Sequence, residues 1–390
     1  MYISIRESRL VRSVPANVLA LGAVSLVTDV SSEMITAVLP LYLVGTLGLS
    51  LLQFGVLDGL YFGVTALVRV AGGHAADRFR RRKLVAGLGY GLSAVCKLGL
   101  LATSSVPLLG AVIAADRTGK GLRTAPRDAL ITLSAPADRL GGAFGVHRAM
   151  DTVGAFLGPL AAFGVLSVTA GAYDAVFVVS FCVAVLGVLL LALYVRDRRG
   201  PVTAGVSLRA AVLRQAAFRR ICLVAVTLGL VTVSDSFVYL LLQKRLALPP
   251  QLFPLLPLGT AGAYLLLAVP FGKLADRYGR AAVFTGGHVA LLAAYLLLMG
   301  PGWLVPVLAL HGVFYAATDG VLMALAGPLL PEGVRTSGLA LLQTGQATAR
   351  MLSSILFGAL WTALEAGPGL AVMAAGLAVS IVVAWRGLRR

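Results

Sequence analysis

Gly73-His-Ala-Ala-Asp77-Arg78-Phe-Arg80-Arg81-Arg82 is one copy of a pattern that returns as Gly272-Lys-Leu-Ala-Asp276-Arg277-Tyr-Gly279-Arg280. The two copies begin 199 positions apart, and each lies between two apolar runs. Each run has about 20 residues, which is the length that an α-helix needs to cross a bilayer. The repeated turn therefore indicates two copies of one bundle of membrane helices, with both charged turns on the same side of the membrane.

The composition also requires a lipid environment. Of the 390 residues, 58% are hydrophobic and 13% are charged, and the mean hydropathy is +0.91, whereas soluble proteins are about 25% charged. The segments are uniformly apolar rather than alternating, which favours helices over a β-barrel. We therefore predict an all-α polytopic membrane protein with twelve transmembrane helices in two pseudo-symmetric six-helix bundles. The predicted spans are 15–44, 51–72, 84–104, 106–130, 142–168, 172–195, 219–243, 250–272, 281–300, 303–328, 337–363 and 368–386.

The distribution of basic residues predicts the orientation. The net charge is +17, and with the N-terminus inside, the outer loops carry only Lys244 and Arg245 as basic residues. This asymmetry follows the positive-inside rule, so that both termini are predicted to be cytoplasmic, in a cell inner membrane. The same asymmetry explains the net charge without a nucleic-acid partner; the lipid bilayer is the expected surroundings.

The duplication continues inside the apolar segments. Asp29 and Asp235 are 206 positions apart, and Asp116 and Asp319 are 203 apart. Matches in a consistent order at a similar offset indicate an internal repeat. The least apolar stretch, from Arg196 to Arg220, separates the two halves. We predict an N-terminal bundle at 1–195, a cytoplasmic linker at 196–218 and a C-terminal bundle at 219–390.

These motifs resemble those of the major facilitator superfamily over essentially the whole chain. The second turn, Gly272 to Arg280, fits the family's Gly-x-x-x-Asp-Arg-x-Gly-Arg signature, whereas the first has Arg80 in place of glycine. Arg117 to Gly121 resembles the signature of span four, and Gly154 to Pro159 resembles the antiporter signature of span five. The acidic first span is similar to that of drug:proton antiporters. The resemblance implies alternating access and favours proton-coupled efflux over uptake.

Charged residues at membrane depth are the candidates for function, because a charge at the centre of a spanning helix costs about 2.5–3.5 kcal/mol. Asp29 and Glu33 are one helical turn apart and repel each other when both are ionised, so one of them is expected to take up a proton. Either could instead pair structurally with Lys97 or Arg117. The predicted proton-coupling or substrate-binding residues are Asp29, Glu33, Asp58, Arg117, Lys120, Asp235 and Asp319.

Span four carries a polar stripe in which Asp116, Lys120, Arg123 and Arg127 follow i, i+4, i+7 and i+11. Arg117 is offset from this stripe; an arginine there could hold a substrate anion or favour the ionised form of a neighbouring acid. Arg123 and Arg127 lie toward the cytoplasm and are expected to snorkel to the membrane surface.

Three further groups have predicted structural roles. The repeated turns are interpreted as conformational latches, in which an acid caps a helix N-terminus and pairs with an arginine. In span five, small residues permit close packing or, by the family resemblance, form a leak barrier specific to efflux. The latch residues are Gly73, Asp77, Arg78, Gly272, Asp276, Arg277 and Arg280; the packing residues are Gly154, Gly158 and Pro159; and Arg148 with Asp151 form a predicted ion pair at i, i+3.

The residues favour secondary transport over other functions. The sequence has no phosphate-binding loop, no nucleophile–base pair, and neither a His-x-x-x-His nor a cysteine cluster, so we expect no enzyme activity, cofactor or metal site. We predict a monomeric transporter that exports a small organic or amphipathic solute against protons. A carrier for a metal ion, metal chelate or siderophore, a lipid flippase-like carrier and a non-transporting sensor are the alternatives.

Overall fold

The computed structural model describes residues 14–79, 81–136, 139–198, 215–301, 303–330 and 335–389, with the backbone alone at 66, 69–79, 335–337 and 389. Side-chain contacts predicted for Gly73, Asp77 and Arg78 therefore lie outside the described residues. The all-α prediction is confirmed, since the described residues contain helices and no strand.

Thirteen α-helices make up most of the described chain. They are α1 (Ala16–Leu41), α2 (Leu51–Phe79), α3 (Arg82–Gly99), α4 (Val106–Ser134), α5 (Leu140–Val168), α6 (Tyr173–Tyr194), α7 (Ala216–Leu230), α8 (Asp235–Leu246), α9 (Leu256–Tyr278), α10 (Arg280–Met299), α11 (Leu304–Ala326), α12 (Arg335–Leu364) and α13 (Ala366–Arg389). A π-helical turn, Tyr42–Thr46, extends α1, and 3-10 turns occur at Pro250–Leu255 and Gly327–Leu329.

Nine segments of the described chain are long and apolar enough to cross a membrane. They are Ala16–Thr46, Leu140–Val168, Tyr173–Tyr194, Ala216–Leu246, Pro250–Tyr278, Arg280–Met299, Leu304–Leu329, Gly338–Leu364 and Ala366–Leu388. Helices α3 and α4, two of the three remaining predicted spans, carry more charge, including Lys97 and the polar stripe of α4; in α2, the third, the described stretch Leu51–Thr65 is apolar. The multi-pass fold is thus established, and the count of twelve stays a prediction.

The chain forms two compact units. Of the described residues, 14–39 and 64–198 belong to the first unit, and 40–63 and 215–389 belong to the second. The end of α1 and the first half of α2 thus cluster with the second unit, and the predicted bounds of 1–195, 196–218 and 219–390 stay a prediction.

Glycines bring the helices of the first unit together. Helix α3 packs against α4 and α6, and a Cβ added at Gly89 would lie 2.6 Å from the carbonyl oxygen of Gly119. On α5, a Cβ at Gly158 would lie 2.8 Å from the carbonyl oxygen of Val30, so α5 lies directly against the middle of α1. Close packing at the predicted glycines of span five is therefore present.

The second unit repeats the order of packing. Helix α10 packs against α11 and α13, as α3 packs against α4 and α6 in the first unit, and α12 packs against α7 and α13. The third helix of each repeat therefore contacts the fourth and the sixth, in agreement with the internal repeat in the sequence.

The seventh predicted span, 219–243, is broken. Helix α7 ends at Leu230 and α8 begins at Asp235, with Val231 to Ser234 between them. In a bilayer, backbone groups freed by such a break need protein partners. The Tyr295 hydroxyl accepts the Val233 N–H at 2.6 Å, and the Ser353 hydroxyl donates to the Thr232 carbonyl at 2.7 Å. Side chains from α10 and α12 thus form hydrogen bonds with backbone groups that the break frees.

Candidate functional site

Each unit contains a polar cluster at the predicted membrane depth. The first-unit cluster comprises Asp29, Glu33, Lys97, Asp116, Arg117, Lys120, Arg123, Arg127, Asp128 and Asp151. The second-unit cluster comprises Asp235, His311, Tyr315, Asp319 and Arg350.

Asp29, on α1, pairs with α4 of the first unit. Its Oδ1 lies 3.5 Å from Nη2 of Arg123, and its side chain is 15% exposed. Arg123 also stacks over the Tyr90 ring, with Cζ 4.4 Å from the ring centroid. The partner of Asp29 is therefore Arg123, rather than Lys97 or Arg117, and a second carboxyl, that of Asp151, faces it from α5.

Glu33 and Lys120 form the most open pair of the cluster. Their Oε1 and Nζ atoms are 3.9 Å apart, and the side chains are 26% and 32% exposed. Because water reaches both groups, this pair can exchange its mutual contact for a contact with another polar molecule more readily than the buried pairs can.

Asp116, by contrast, is surrounded by donors. Arg117 Nε donates to its Oδ2 at 2.8 Å, and the Ser93 hydroxyl donates to Oδ1 at 2.6 Å. Lys97 Nζ lies 3.9 Å from the same carboxylate. Arg117 was predicted as an anion-binding residue, but its side chain is 5% exposed and its guanidinium is engaged by Asp116; the geometry supports a structural role.

The predicted ion pair of Arg148 with Asp151 is wrong. Asp151 instead accepts a hydrogen bond from the Ser25 hydroxyl at 2.6 Å and lies 3.8 Å from Nη1 of Arg127. The Arg148 side chain is exposed. Arg127 of α4 reaches the partly buried Asp151 carboxylate from inside the unit, whereas the exposed Arg148 does not.

Two arginines of α4 lie deeper in the unit than predicted. Arg123 and Arg127 were expected to snorkel, yet they are 3% and 8% exposed. They complete the cluster by compensating Asp29 and Asp151 on neighbouring helices. The polar stripe on α4 was the sequence signal for these buried pairs. Four charged residues on one helical face indicate that the face packs against other polar groups, which snorkelling of single arginines does not explain.

In the second unit, Asp235 occupies the first turn of α8. The Tyr315 hydroxyl donates to its Oδ1 at 2.5 Å, and His311 Nε2 lies 3.4 Å from the same atom. Arg350 stacks over the Tyr315 ring, with Cζ 5.4 Å from the ring centroid. A helix N-terminus favours a negative charge, so the backbone of α8 contributes to holding this carboxylate.

The two other predicted acids of the second unit differ in burial. The Asp319 side chain is exposed and interacts electrostatically with Arg350 and Asp235. Asp58 is 8% exposed and accepts a hydrogen bond from the Ser354 hydroxyl at 2.6 Å. Within the described residues, Asp58 has no cation within 4.0 Å, so its surroundings consist of hydroxyl groups.

The second latch turn has one part of the predicted geometry: Asp276 lies near an arginine, whereas no described side chain caps the N-terminus of α10, which follows Gly279. Gly279 has φ +96°, a backbone conformation that favours glycine. Asp276 Oδ1 lies 3.6 Å from Nη2 of Arg280, and Arg280 Nη1 donates to the Ala324 carbonyl at 2.8 Å. Arg277 stacks on Tyr278 at 5.2 Å. The turn is thus tied to the end of α11, and the latch role itself stays a prediction.

Three comparisons with known proteins bear on this arrangement. The model of the Major Facilitator Superfamily matches residues 21–263. An uncharacterized MFS-type transporter of Methanocaldococcus jannaschii is 31% identical over 363 residues, which cover 90% of this chain and 89% of that protein.

Solved structures share the fold. A crystal structure of a mutant of the nucleoside transporter NupG superposes with a TM-score of 0.81 at 13% identity, covering 95% of this chain and 99% of that one. A bacterial homolog of the human lysosomal transporter Spinster, facing inward and unoccupied, gives a TM-score of 0.68 at 18% identity, covering 95% and 94%. Identities this low speak for the fold alone.

Proposed function

The chain belongs to the Major Facilitator Superfamily of membrane transporters, and we propose that it exports a small organic or amphipathic solute in exchange for protons. The observation that carries this proposal is the arrangement around Asp29, where two carboxyls and an arginine from three helices meet. The Asp29 carboxylate pairs with Arg123 and faces Asp151. Like charges this close favour uptake of one proton by the pair.

Protonation of Asp29 gives a route from proton to solute. A neutral Asp29 no longer compensates Arg123, which is 4% exposed as a side chain and lies one helical turn from Lys120. The uncompensated positive charge then competes for Glu33, the partner of Lys120. We therefore place solute binding at the open Glu33–Lys120 pair and proton binding at Asp29; Asp58, Asp235 and Asp319 stay proposed proton-coupling or substrate-binding residues of the second unit.

The packing of α5 supports export as the direction. Gly154 and Gly158 lie against the backbone of α1 at Leu26 and Val30, and a Cβ at Gly158 would lie 2.6 Å from Cβ of Glu33. The small residues of span five therefore support the helix that carries both acids. In this proposal the small residues of span five, with Pro159 after the second glycine, keep the proton path closed while the solute moves.

Proteoliposomes test the coupling. A thermal-shift screen of the purified protein against drugs, metals, siderophores and lipids first supplies a ligand, which is then used in radiolabelled form with an imposed pH gradient. We expect Asp29→Asn and Glu33→Gln to lose gradient-driven flux, Asp29→Asn while still binding the ligand. Asp174→Asn is the matched control, because Asp174 is an exposed acid at the start of α6. Unchanged gradient-driven flux in both cluster variants would remove them as the coupling site.

The other candidates for cargo are separable in the same screen. In the part of the chain that the structure describes, no group of three or more His, Cys, Asp or Glu side chains is placed to hold a metal ion, so a metal carrier would have to bind a chelate. Stabilisation by a metal or siderophore, with no response to organic solutes, would favour that alternative. Stabilisation by lipids alone would favour a lipid carrier.

The surroundings of the transporter are part of the proposal. The basic inner segments favour a cell inner membrane with both termini in the cytoplasm. Reporter fusions at the two termini would show them on the cytoplasmic side, and light scattering of the purified protein would give the mass of a monomer.

A further inference from the structure

The second unit contains a cleft that the transport proposal does not use. It has a volume of about 790 Å³ and lies where α8 ends and α12 gives way to α13. By the predicted topology this is the outer side of the membrane. We name it the outer cleft; the residues that matter to its chemistry are Leu49, Lys244, Arg245, Trp361, Thr362 and Glu365.

The inner wall of the outer cleft is a rigid aromatic surface. Trp361 is 6% exposed, and its ring packs on Phe357 and Phe237 with centroid separations of 5.7 and 5.9 Å. Because the indole packs on these buried rings, the small part of it that reaches the cleft is an apolar surface held in place.

Two cations stand at the same cleft without carboxylate partners. Lys244 Nζ lies 5.8 Å from the centroid of the Trp361 ring, and Arg245 follows it on the last turn of α8. Both are exposed, and neither has a carboxylate within 4.0 Å among the described residues. Glu365 lines the cleft as well, so the charged lining carries two positive groups and one negative group.

A purely structural role accounts for only part of this arrangement. Cations near a helix C-terminus gain about 0.3–1 kcal/mol from the helix dipole, which explains a basic residue at the end of α8. It does not explain why the only basic residues of the predicted outer loops lie here, although the positive-inside rule disfavours them. It also does not explain why they flank a cleft with an aromatic wall.

We propose that the outer cleft binds an organic anion, with its carboxylate or phosphate between Lys244 and Arg245 and its apolar body against Trp361. Arginine and lysine bind such groups through charge-assisted hydrogen bonds, and the indole supplies apolar contact area. The site is distinct from the charged clusters, and it stands whatever the cargo or direction of transport.

Dansylglycine and dansylamide form a matched pair of probes, because they share an apolar fluorophore and only the first is an anion. The full chain is placed in phosphatidylcholine nanodiscs, and energy transfer from tryptophan to the dansyl group is titrated. We expect saturable binding of dansylglycine and weaker binding of dansylamide. The double variant Lys244→Gln/Arg245→Gln should raise the Kd for dansylglycine about tenfold or more.

Two further variants separate binding from folding. Arg219→Gln/Arg220→Gln removes the same charge from the other end of the same broken span, and its Kd should equal that of the wild type. Glu365→Gln removes the acid from the outer cleft and should tighten dansylglycine binding about two- to threefold. A gain of affinity cannot come from misfolding.

A second set of nanodiscs, which contain phosphatidylglycerol, distinguishes a lipid headgroup from a soluble anion as the natural ligand. Loss of dansylglycine binding there, in the wild type, assigns the cleft to a lipid headgroup, and retained binding assigns it to a soluble organic anion. Equal affinity of wild type and Lys244→Gln/Arg245→Gln for dansylglycine, or equal affinity of the wild type for both probes, would overturn the proposal.

Discussion

The first and seventh predicted spans occupy the same place in the repeat, yet they hold their acids in different ways. Helix α1 runs unbroken from Ala16 to Leu41, and Asp29 in its middle is compensated by the side chain of Arg123. The seventh span breaks before Asp235, which then sits in the first turn of a new helix with the Tyr315 hydroxyl on its carboxylate. The charge of Asp29 is compensated by an ion pair, whereas the charge of Asp235 is stabilised largely by the N-terminal backbone of α8 and the Tyr315 hydroxyl.

The same divergence extends to the other repeated acid. Asp116 is 17% exposed and is surrounded by Arg117, Lys97 and Ser93, whereas Asp319 is exposed. The two units therefore share the positions of these acids but balance their charge differently. The first unit uses a network of ion pairs, and the second uses aromatic hydroxyls, a helix terminus and one arginine.

The largest expected effect separates Asp116 from Asp319. Asp116→Asn leaves Lys97 and Arg117 buried without their carboxylate, which should cost about 3–5 kcal/mol of stability. Asp319→Asn at the equivalent exposed position should change stability by less than about 0.5 kcal/mol. Thermal unfolding of the two variants in the same detergent measures the difference; shifts of equal size would show that the two units are balanced alike.

Asp29 and Asp235 give the next test. Arg123→Gln leaves a nearly buried carboxylate unpaired and should cost about 3 kcal/mol. Tyr315→Phe removes one hydrogen bond from a carboxylate that is 37% exposed and that keeps its helix N-terminus, so the loss should be about 1 kcal/mol or less. Chemical denaturation compares both with the wild type. A larger loss for Tyr315→Phe would contradict the account given for α8.

Packing of α1 should show an intermediate effect. Gly154→Ala places a Cβ against the Leu26 carbonyl of α1, and such overpacking costs about 1–3 kcal/mol. Gly164→Ala, on the same helix, meets nothing within 4 Å and should be neutral or stabilise by up to about 1 kcal/mol through helix propensity. Melting temperatures that move in opposite directions confirm the contact; a parallel shift would argue against it.

The smallest effect concerns two tyrosines 205 positions apart. Tyr295→Phe removes the hydroxyl that accepts the Val233 N–H at the break, and an unsatisfied buried donor costs about 1 kcal/mol or more. The Tyr90 hydroxyl is buried without a hydrogen-bond partner among the described residues, so Tyr90→Phe should cost nothing measurable. Amide hydrogen exchange at Val233, faster in Tyr295→Phe alone, would locate the effect at the break.

The sequence predicted features that repeat or that have a helical period. The all-α fold, the duplicated order of helices and the polar stripe of α4 belong to this group. Pairing between helices was not visible, because the partner of Asp151 depends on which face of α4 meets α5. The break at Val231 to Ser234 was not visible either, since it contains no proline or glycine and the side chains that satisfy its backbone groups, Tyr295 and Ser353, lie far away in the sequence.

Proline, the residue most often used to find helix ends, does not mark them at three positions of this chain. Pro126, Pro159 and Pro270 lie inside helices without ending them. In a bilayer, neighbouring helices and side chains satisfy the backbone groups that proline frees. Helix propensity therefore predicts helix ends less well here, and tertiary contacts determine where a helix ends.

The broken seventh span also has a consequence for biosynthesis. Helix α8 has 12 residues, or about 18 Å of helix, too short to cross a hydrocarbon core of about 30 Å. The cell's insertion machinery must therefore read α7 and α8 as one continuous segment. The side chains that stabilise the break lie 62 and 121 residues from the backbone groups they bind. They are synthesised after the span itself, so the hydrogen bonds at the break can form only once α10 and then α12 have been made.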